Sequence, residues 1–188
     1  VKCWPEHHLI LLGHLVGDGS YVKHQPLRYT TASVENSEAV RIAAEAFGCV
    51  VTRLEGRGNW HQLVISGNGN RWKPAGVGAW LKDLGIHGQR SHEKRLPPEV
   101  FTLGDEQVAL LLRHLWATDG SVTLRRAGQK GSARVYFSTC SPVLANDVAA
   151  LLLRLGIVAR IRSVHGSGRH PVHTVDVSGA PFQLRFAK

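Results

Sequence analysis

No stretch of this 188-residue chain is apolar for long enough to cross a bilayer. The longest apolar runs, Leu9–Val16 apart from His14 and Val108–Leu112, fall far short of the roughly 18 residues that a span needs. Nor does a cationic start lead into an apolar core, so no secretory signal is read. Cysteine is scarce. Cys3, Cys49 and Cys140 are odd in number, scattered and without a CxxC pair, which argues against a disulfide framework or a zinc knuckle and fits the reducing cytoplasm. The one tight Cys/His cluster, Cys3 with His7 and His8, lacks the fourth ligand of a tetrahedral structural zinc site. Acid is also in deficit: 14 Asp plus Glu face 23 Lys plus Arg, a formal charge of +9 that favours a polyanionic partner, nucleic acid ahead of an anionic membrane surface. Hydrophobic residues make up 43% of the chain, enough for one substantial core or two small cores sharing an interface.

What is present is an internal repeat. The element Leu11-Leu12-Gly13-His14-Leu15-Val16-Gly17-Asp18-Gly19-Ser20 returns as Leu112-Arg113-His114-Leu115-Trp116-Ala117-Thr118-Asp119-Gly120-Ser121, with the two aspartates 101 positions apart. Downstream, Thr31–Gly48 parallels Thr139–Gly156, Val51–Leu54 matches Ala159–Arg162, and His61–Gly67 matches His173–Gly179. The periodicity predicts, in each half, an apolar helix, two β segments, a helix and two more β segments. The first half adds a helix over Ala75–Leu84; the second stops at Phe182–Lys188, where its corresponding helix starts. The expected fold is therefore α+β, two αββαββα units over 1–102 and 103–188, with a linker near Ile86–Leu103 and the last helix cut short. The stretch from Arg125 to Gly131, which includes Lys130, reads as a longer basic hairpin loop.

Leu9, Leu12, Gly13 and Val16 fall at helical spacing while Leu11 and Leu15 fill another face, so the first helix is buried on most sides. Gly13 and Gly17 leave a groove for a neighbouring backbone, and the Asp-Gly pair turns the chain out of the helix. If the two apolar helices pack side by side, Asp18 and Asp119 meet at one end, and adjacent carboxylates call for a cation between them. Oxygen-liganded Mg²⁺ suits that place. A single Asp-Gly after a helix is an ordinary turn. Its repetition after a buried helix, with Ser following both times, is what turn chemistry alone leaves unexplained.

These two elements resemble the paired dodecapeptide motifs of LAGLIDADG homing endonucleases. Between them, Ser91-His92-Glu93-Lys94-Arg95-Leu96-Pro97-Pro98-Glu99 is similar to the Lys-x-(Ile/Leu)-Pro block of intein endonucleases, and Leu111–Gly120 is most similar to inteins of the bacterial replicative DNA helicase. The blocks span about the whole chain. The resemblance implies two pseudo-symmetric repeats forming a DNA-binding saddle, a monomer normally inserted in an intein splicing domain, and a double-strand break in a long duplex DNA target. It also implies that Asp18 and Asp119 hold Mg²⁺ (or Mn²⁺) with the main-chain carbonyls of Gly17 and Thr118, and that Lys94 stabilises charge or orders water near the scissile phosphate. Two departures stand out: His114 occupies the place of Gly13, and neither an N-terminal splice-junction residue nor a C-terminal His-Asn is present, so no protein splicing is expected. Rival readings are a non-cleaving DNA-binding protein of the same fold and an RNA-binding maturase; both aspartates and Lys94 favour the nuclease.

For DNA contact, strand alternation places Arg160 and Arg162 on one face with Ile157, Ala159 and Ile161 on the other. Arg28, Arg53 and Arg134 occupy similar β settings, and Arg125 and Lys130 lie in the basic loop. Such side chains contact phosphates or read guanine. Trp60, Trp72, Trp80 and Trp116 are read as core.

Overall fold

A computed structural model describes residues 3–70, 72–123, 133–165 and 170–187. Along the chain run α1 (Glu6–Asp18), β1 (Gly19–Ser20), β2 (Leu27–Thr31), α2 (Val34–Glu45), β3 (Val50–Glu55), β4 (His61–Ser66) and α3 (Gly76–Asp83). A 3-10 turn over Pro98–Thr102 leads into α4 (Asp105–Asp119), β5 (Gly120–Thr123), β6 (Arg134–Thr139), α5 (Pro142–Arg154), β7 (Ala159–Val164), β8 (Val172–Val177) and α6 (Ala180–Phe186). The αββαββα order thus occurs twice, as the periodicity predicts. Arg125 and Lys130 lie outside the described residues.

Each set of strands forms a four-stranded antiparallel sheet, ordered β1-β2-β4-β3 and β5-β6-β8-β7. The two repeats build the entry to their second helix identically. Thr31 Oγ1 accepts from Ser33 N at 3.1 Å and Thr139 Oγ1 from Ser141 N at 3.1 Å. Ser33 Oγ and Ser141 Oγ then accept from Asn36 N and Leu144 N, capping α2 and α5. Each helix ends on a glycine in the left-handed region, Gly48 and Gly156, where a side chain would be strained.

The chain divides into two compact units. The first comprises the chain up to Arg90 together with Leu96–Thr118; the second comprises Ser91–Arg95 and everything from Asp119 onward. In the first, Leu27, Tyr29, Leu63 and Ile65 form the buried side of the sheet, and Leu11, Leu12 and Leu15 of α1, Val40 and Ala44 of α2, Val77 and Leu81 of α3, and Leu111 and Leu115 of α4 are buried as well. In the second, Val135, Phe137, Val175 and Val177 are buried with Leu144, Val148, Leu151 and Leu152 of α5. Among the described residues no helix is long and apolar enough to cross a membrane.

The tryptophans divide. Trp116 is buried and Trp80 half-buried, but Trp60 is 45% exposed and Trp72 85% exposed. Trp72 lies in a tight turn in which Asn70 Oδ1 accepts from the N–H groups of Trp72 and Lys73, which satisfies its backbone locally at an exposed site.

Candidate functional site

Within the first unit, α1 and α4 meet through glycine. A Cβ on Gly13 would lie 2.8 Å from His114 Cβ and 2.8 Å from Leu115 N; one on Gly17 would lie 2.5 Å from Thr118 Cβ. His114 in the place of a second motif glycine therefore does not hold the helices apart, because Gly13 leaves the room that the His114 Cβ and the α4 backbone occupy. A polar thread crosses the same interface: His14 Nε2 and His114 Nδ1 are 3.1 Å apart, and His14 Nδ1 is 3.0 Å from Tyr29 Oη. His14 is 1% exposed. Burial, aided by repulsion from His114, pushes its pKa down to about 4, and burial followed by Arg113 pushes His114 down as well. Both rings are therefore neutral at pH 7, as a shared N–H···N bond requires. Nothing in the sequence joins these two histidines, which are not counterparts in the repeat.

Asp18 and Asp119 are the last residues of α1 and α4. Each is followed at once by a strand, with Gly19 pairing with Tyr29 and Gly120 with Phe137. The Gly19 N–H donates to Leu15 O, and a Cβ on Gly19 would come within 2.5 Å of that carbonyl, so only glycine lets the strand leave so closely across the last helical turn. Each carboxylate is thereby fixed at a rigid helix-to-strand junction. Asp119 is exposed as a residue, yet loss of hydration around its carboxyl raises its pKa above the usual carboxylate value, with Lys94 pulling the other way. Lys94 itself is only 6% exposed. Its carbonyl accepts from Ser141 Oγ at 2.6 Å, so the hydroxyl that caps α5 also anchors the lysine segment. The structure thus joins Gly17 with Thr118 in the first unit and Lys94 with Asp119 in the second.

The donors at these positions, carboxylates and main-chain carbonyls, are hard oxygens that suit Mg²⁺, Mn²⁺ or Ca²⁺. Among the described residues no group of three or more His, Cys, Asp or Glu side chains is placed to hold a metal ion. The His7–His8 pair is structural instead: His8 stacks on Phe47 at 4.4 Å and packs against Trp80, and burial lowers its pKa to about 4.

Strand register sorts the candidate DNA-contact arginines. In the second sheet, Arg160 lies opposite Asp176, Arg162 opposite Thr174 and Tyr136 opposite Asp176, all on the face away from Val135, Phe137 and Val175. Arg134 shares this open face, its guanidinium 5.2 Å from the Tyr136 ring centroid. In the first sheet, Arg28 lies opposite Val64 and Ser20 on the corresponding open face, its Nε buried without a hydrogen-bond partner. Arg53 departs from expectation. It pairs with Leu63, whose side chain is core, and it bonds Glu55 at 2.6 Å on that same side. The open-face positions of β3 belong to Val50, Thr52 and Leu54.

Comparison with known proteins agrees with this architecture. Residues 106–188 match the family model of the LAGLIDADG-like domain. The replicative DNA helicase DnaB of Rhodothermus marinus is 40% identical over 97% of this chain, which spans only 20% of that helicase's length. A single-substitution variant of the homing endonuclease I-DmoI, in complex with its target DNA in the presence of manganese, superposes with a TM-score of 0.66 at 15% identity, covering 97% of this chain and 91% of its own. The N-terminal LAGLIDADG domain of DUF199/WhiA does so with a TM-score of 0.62 at 14% identity over 99% of this chain and 83% of its own. At such identities the structural likenesses establish the fold. The family-model match and the doubled αββαββα fold agree: residues 106–188 match the LAGLIDADG-like domain, and the whole chain has the fold of LAGLIDADG proteins.

Proposed function

We propose that this chain is the endonuclease domain of an intein carried by a replicative DNA helicase, and that it makes a site-specific double-strand break in a long DNA target. One observation carries this reading: the two motif helices touch at Gly17 and Thr118, the residues immediately preceding Asp18 and Asp119. In the proposed site, those two carboxylates, with the Gly17 and Thr118 carbonyls, hold Mg²⁺ or Mn²⁺. I-DmoI has been solved with DNA and Mn and with DNA and Ca, which supports an ion of this class. When bound, such a cation supplies Lewis acidity toward the scissile phosphate.

The chain's own groups do the rest. The raised pKa of Asp119 marks a carboxylate short of hydration, which a cation would stabilise. Lys94, fixed through Ser141, keeps a positive charge beside Asp119 and would offset charge developing on phosphate. Arg28, Arg134, Arg160 and Arg162 contact the DNA backbone or bases, with Arg125 and Lys130 adding to the same interface, and the repeats over 1–102 and 103–188 each take one half of the site. A single chain carries both motifs and acts as a monomer.

The test is cleavage of a supercoiled plasmid bearing the host helicase gene without its insertion, in Mg²⁺ and then in Ca²⁺. Asp18→Asn and Asp119→Asn should each slow double-strand cleavage by about 10²-fold or more while leaving folding and DNA affinity largely intact. Either variant cutting both strands at the parent rate would overturn the paired-aspartate mechanism. A parent that binds the site but never cuts it would favour the binding-only reading.

A further inference from the structure

The two open sheet faces are unequally charged. Among the described residues, the second carries Arg134, Arg160 and Arg162 with one acid, Asp176, whereas the first carries Arg28 alone amid Thr30, Thr52, Gln62 and Val64. The first unit keeps its cations elsewhere. A cleft of about 910 Å³ at the hairpin end of the first sheet is lined by Lys23 and His24 from the β1–β2 turn, Lys82 from α3 and His87 just beyond it. Among the described residues no carboxylate lines this cleft. None of the ion pairs among the described residues uses Lys23 or Lys82.

The cleft is also held in shape. Asn68, on its floor, accepts from Gly78 N at 2.7 Å and donates to Ile65 O at 2.7 Å, which locks the β4–α3 loop to both elements. The Lys23 stem lies over Gly88, where a Cβ would come within 3.0 Å of Lys23 Cγ, and Gly88 N donates to Tyr21 O at 2.9 Å. His24 is the one non-glycine residue with positive φ among those described, at 64°. Burial lowers the pKa of His87, and Lys82 and Lys23 lower it further, so the imidazole is neutral at pH 7 and keeps an N–H to donate. Two ammonium groups outside the ion pairs of the described residues, a neutral imidazole and side-chain amides in a preformed concavity favour an anion with several acceptor oxygens.

We infer that this cleft grips a phosphodiester of the DNA backbone at the outer flank of the half-site met by the first unit, anchoring from its end a sheet whose own face is nearly uncharged. The inference rests on the DNA-binding reading.

Two measurements test it. In the first, sodium pyrophosphate is titrated into ¹⁵N-labelled protein: amide shifts are expected at Gly67–Asn70, Lys82 and His87, and the double variant Lys23→Gln/Lys82→Gln should lose them while the rest of its spectrum stays that of the folded parent. In the second, hydroxyl-radical footprints are recorded in Ca²⁺ on a duplex spanning the insertion point of the host helicase gene. The double variant should lose protection at one outer flank only, and the slope of log K against log salt should fall by about 2. Trimming that flank should weaken the parent and leave the variant unchanged. If the parent binds no duplex, the DNA reading itself fails. If it binds and the variant gives the same footprint and slope, the cleft assignment alone fails, and pyrophosphate shifts confined to the cleft would then assign it to a free phosphate ligand instead.

Discussion

Gly17→Ala is the most direct probe of the α1–α4 contact. An alanine in a helix interior normally stabilises by about 1 kcal/mol relative to glycine, so on propensity alone the variant gains stability. The structure predicts the reverse. The new methyl would sit 2.5 Å from Thr118 Cβ, an atom fixed to the α4 backbone, and the Thr118 hydroxyl donates to Leu115 O at 2.6 Å, so no simple rotation clears the space. Overpacking of this kind costs about 1–3 kcal/mol, which outweighs the propensity gain or at least cancels it. Thr118→Gly removes the obstruction, so the Gly17→Ala/Thr118→Gly double variant should show a favourable coupling energy of about 1–3 kcal/mol in a double-mutant cycle. At Gly13 the clash includes Leu115 N, a backbone atom, and His114→Ala should give little relief to Gly13→Ala. Urea unfolding followed by circular dichroism, with m-values checked for constancy, measures all of these. Gly17→Ala more stable than the parent by the full helix-propensity increment, with no coupling to Thr118, would refute the contact.

Three further outcomes are expected. His14 titrates near 6.5 when unfolded and near 4 when folded, so the unfolded state binds the extra proton between those values; stability should fall by about 3 kcal/mol as pH drops from 7 to 4, and His14→Gln should flatten that slope in pH-dependent urea unfolding. Arg160→Gln and Arg162→Gln should each lower the salt slope of DNA binding by about 1, whereas Arg53→Gln, on the helix side of its sheet, should leave it unchanged; equal effects at all three would contradict the strand register. Lys94→Met removes the cation that lowers the Asp119 pKa, so the acidic limb of the cleavage pH profile should move to higher pH, with a smaller loss of rate than in Asp119→Asn; an unmoved limb would separate Lys94 from that carboxylate.

The sequence exposed the order of elements because each repeat advertises it twice over, in alternating strands such as Leu27–Thr31 and Arg134–Thr139 and in the shared Thr-x-Ser entry to α2 and α5. It failed where the signal is not local. In β3, Val51, Arg53 and Glu55 alternate with Val50, Thr52 and Leu54, an edge strand whose apolar residues fall on both faces; only pairing with Leu63 fixes which side Arg53 takes. Trp72 has the composition of a core residue but lies in a turn closed by Asn70. The His14–His114 bond and the hold of Ser141 on Lys94 join residues 100 and 47 positions apart, and no periodicity encodes either. The same long-range ties explain why the compact units do not follow the repeats: α4 joins the first unit through Gly13 and Gly17, while Ser91–Arg95 joins the second, where Ser141 holds Lys94.

The helix contact at Gly13 and Gly17 is hollow on one side and bulky on the other, and that asymmetry works as an addressing code. Were the chain severed between Gly88 and Ser91, α4 pairing with another α4 would set His114 against His114 and Thr118 against Thr118, with no glycine to receive either. The mixed pair sets each bulky residue against a glycine, so the fragment that carries α4 should prefer its complement to its own kind. An orthogonal pair could be made by moving the glycines to α4 and the His and Thr to α1.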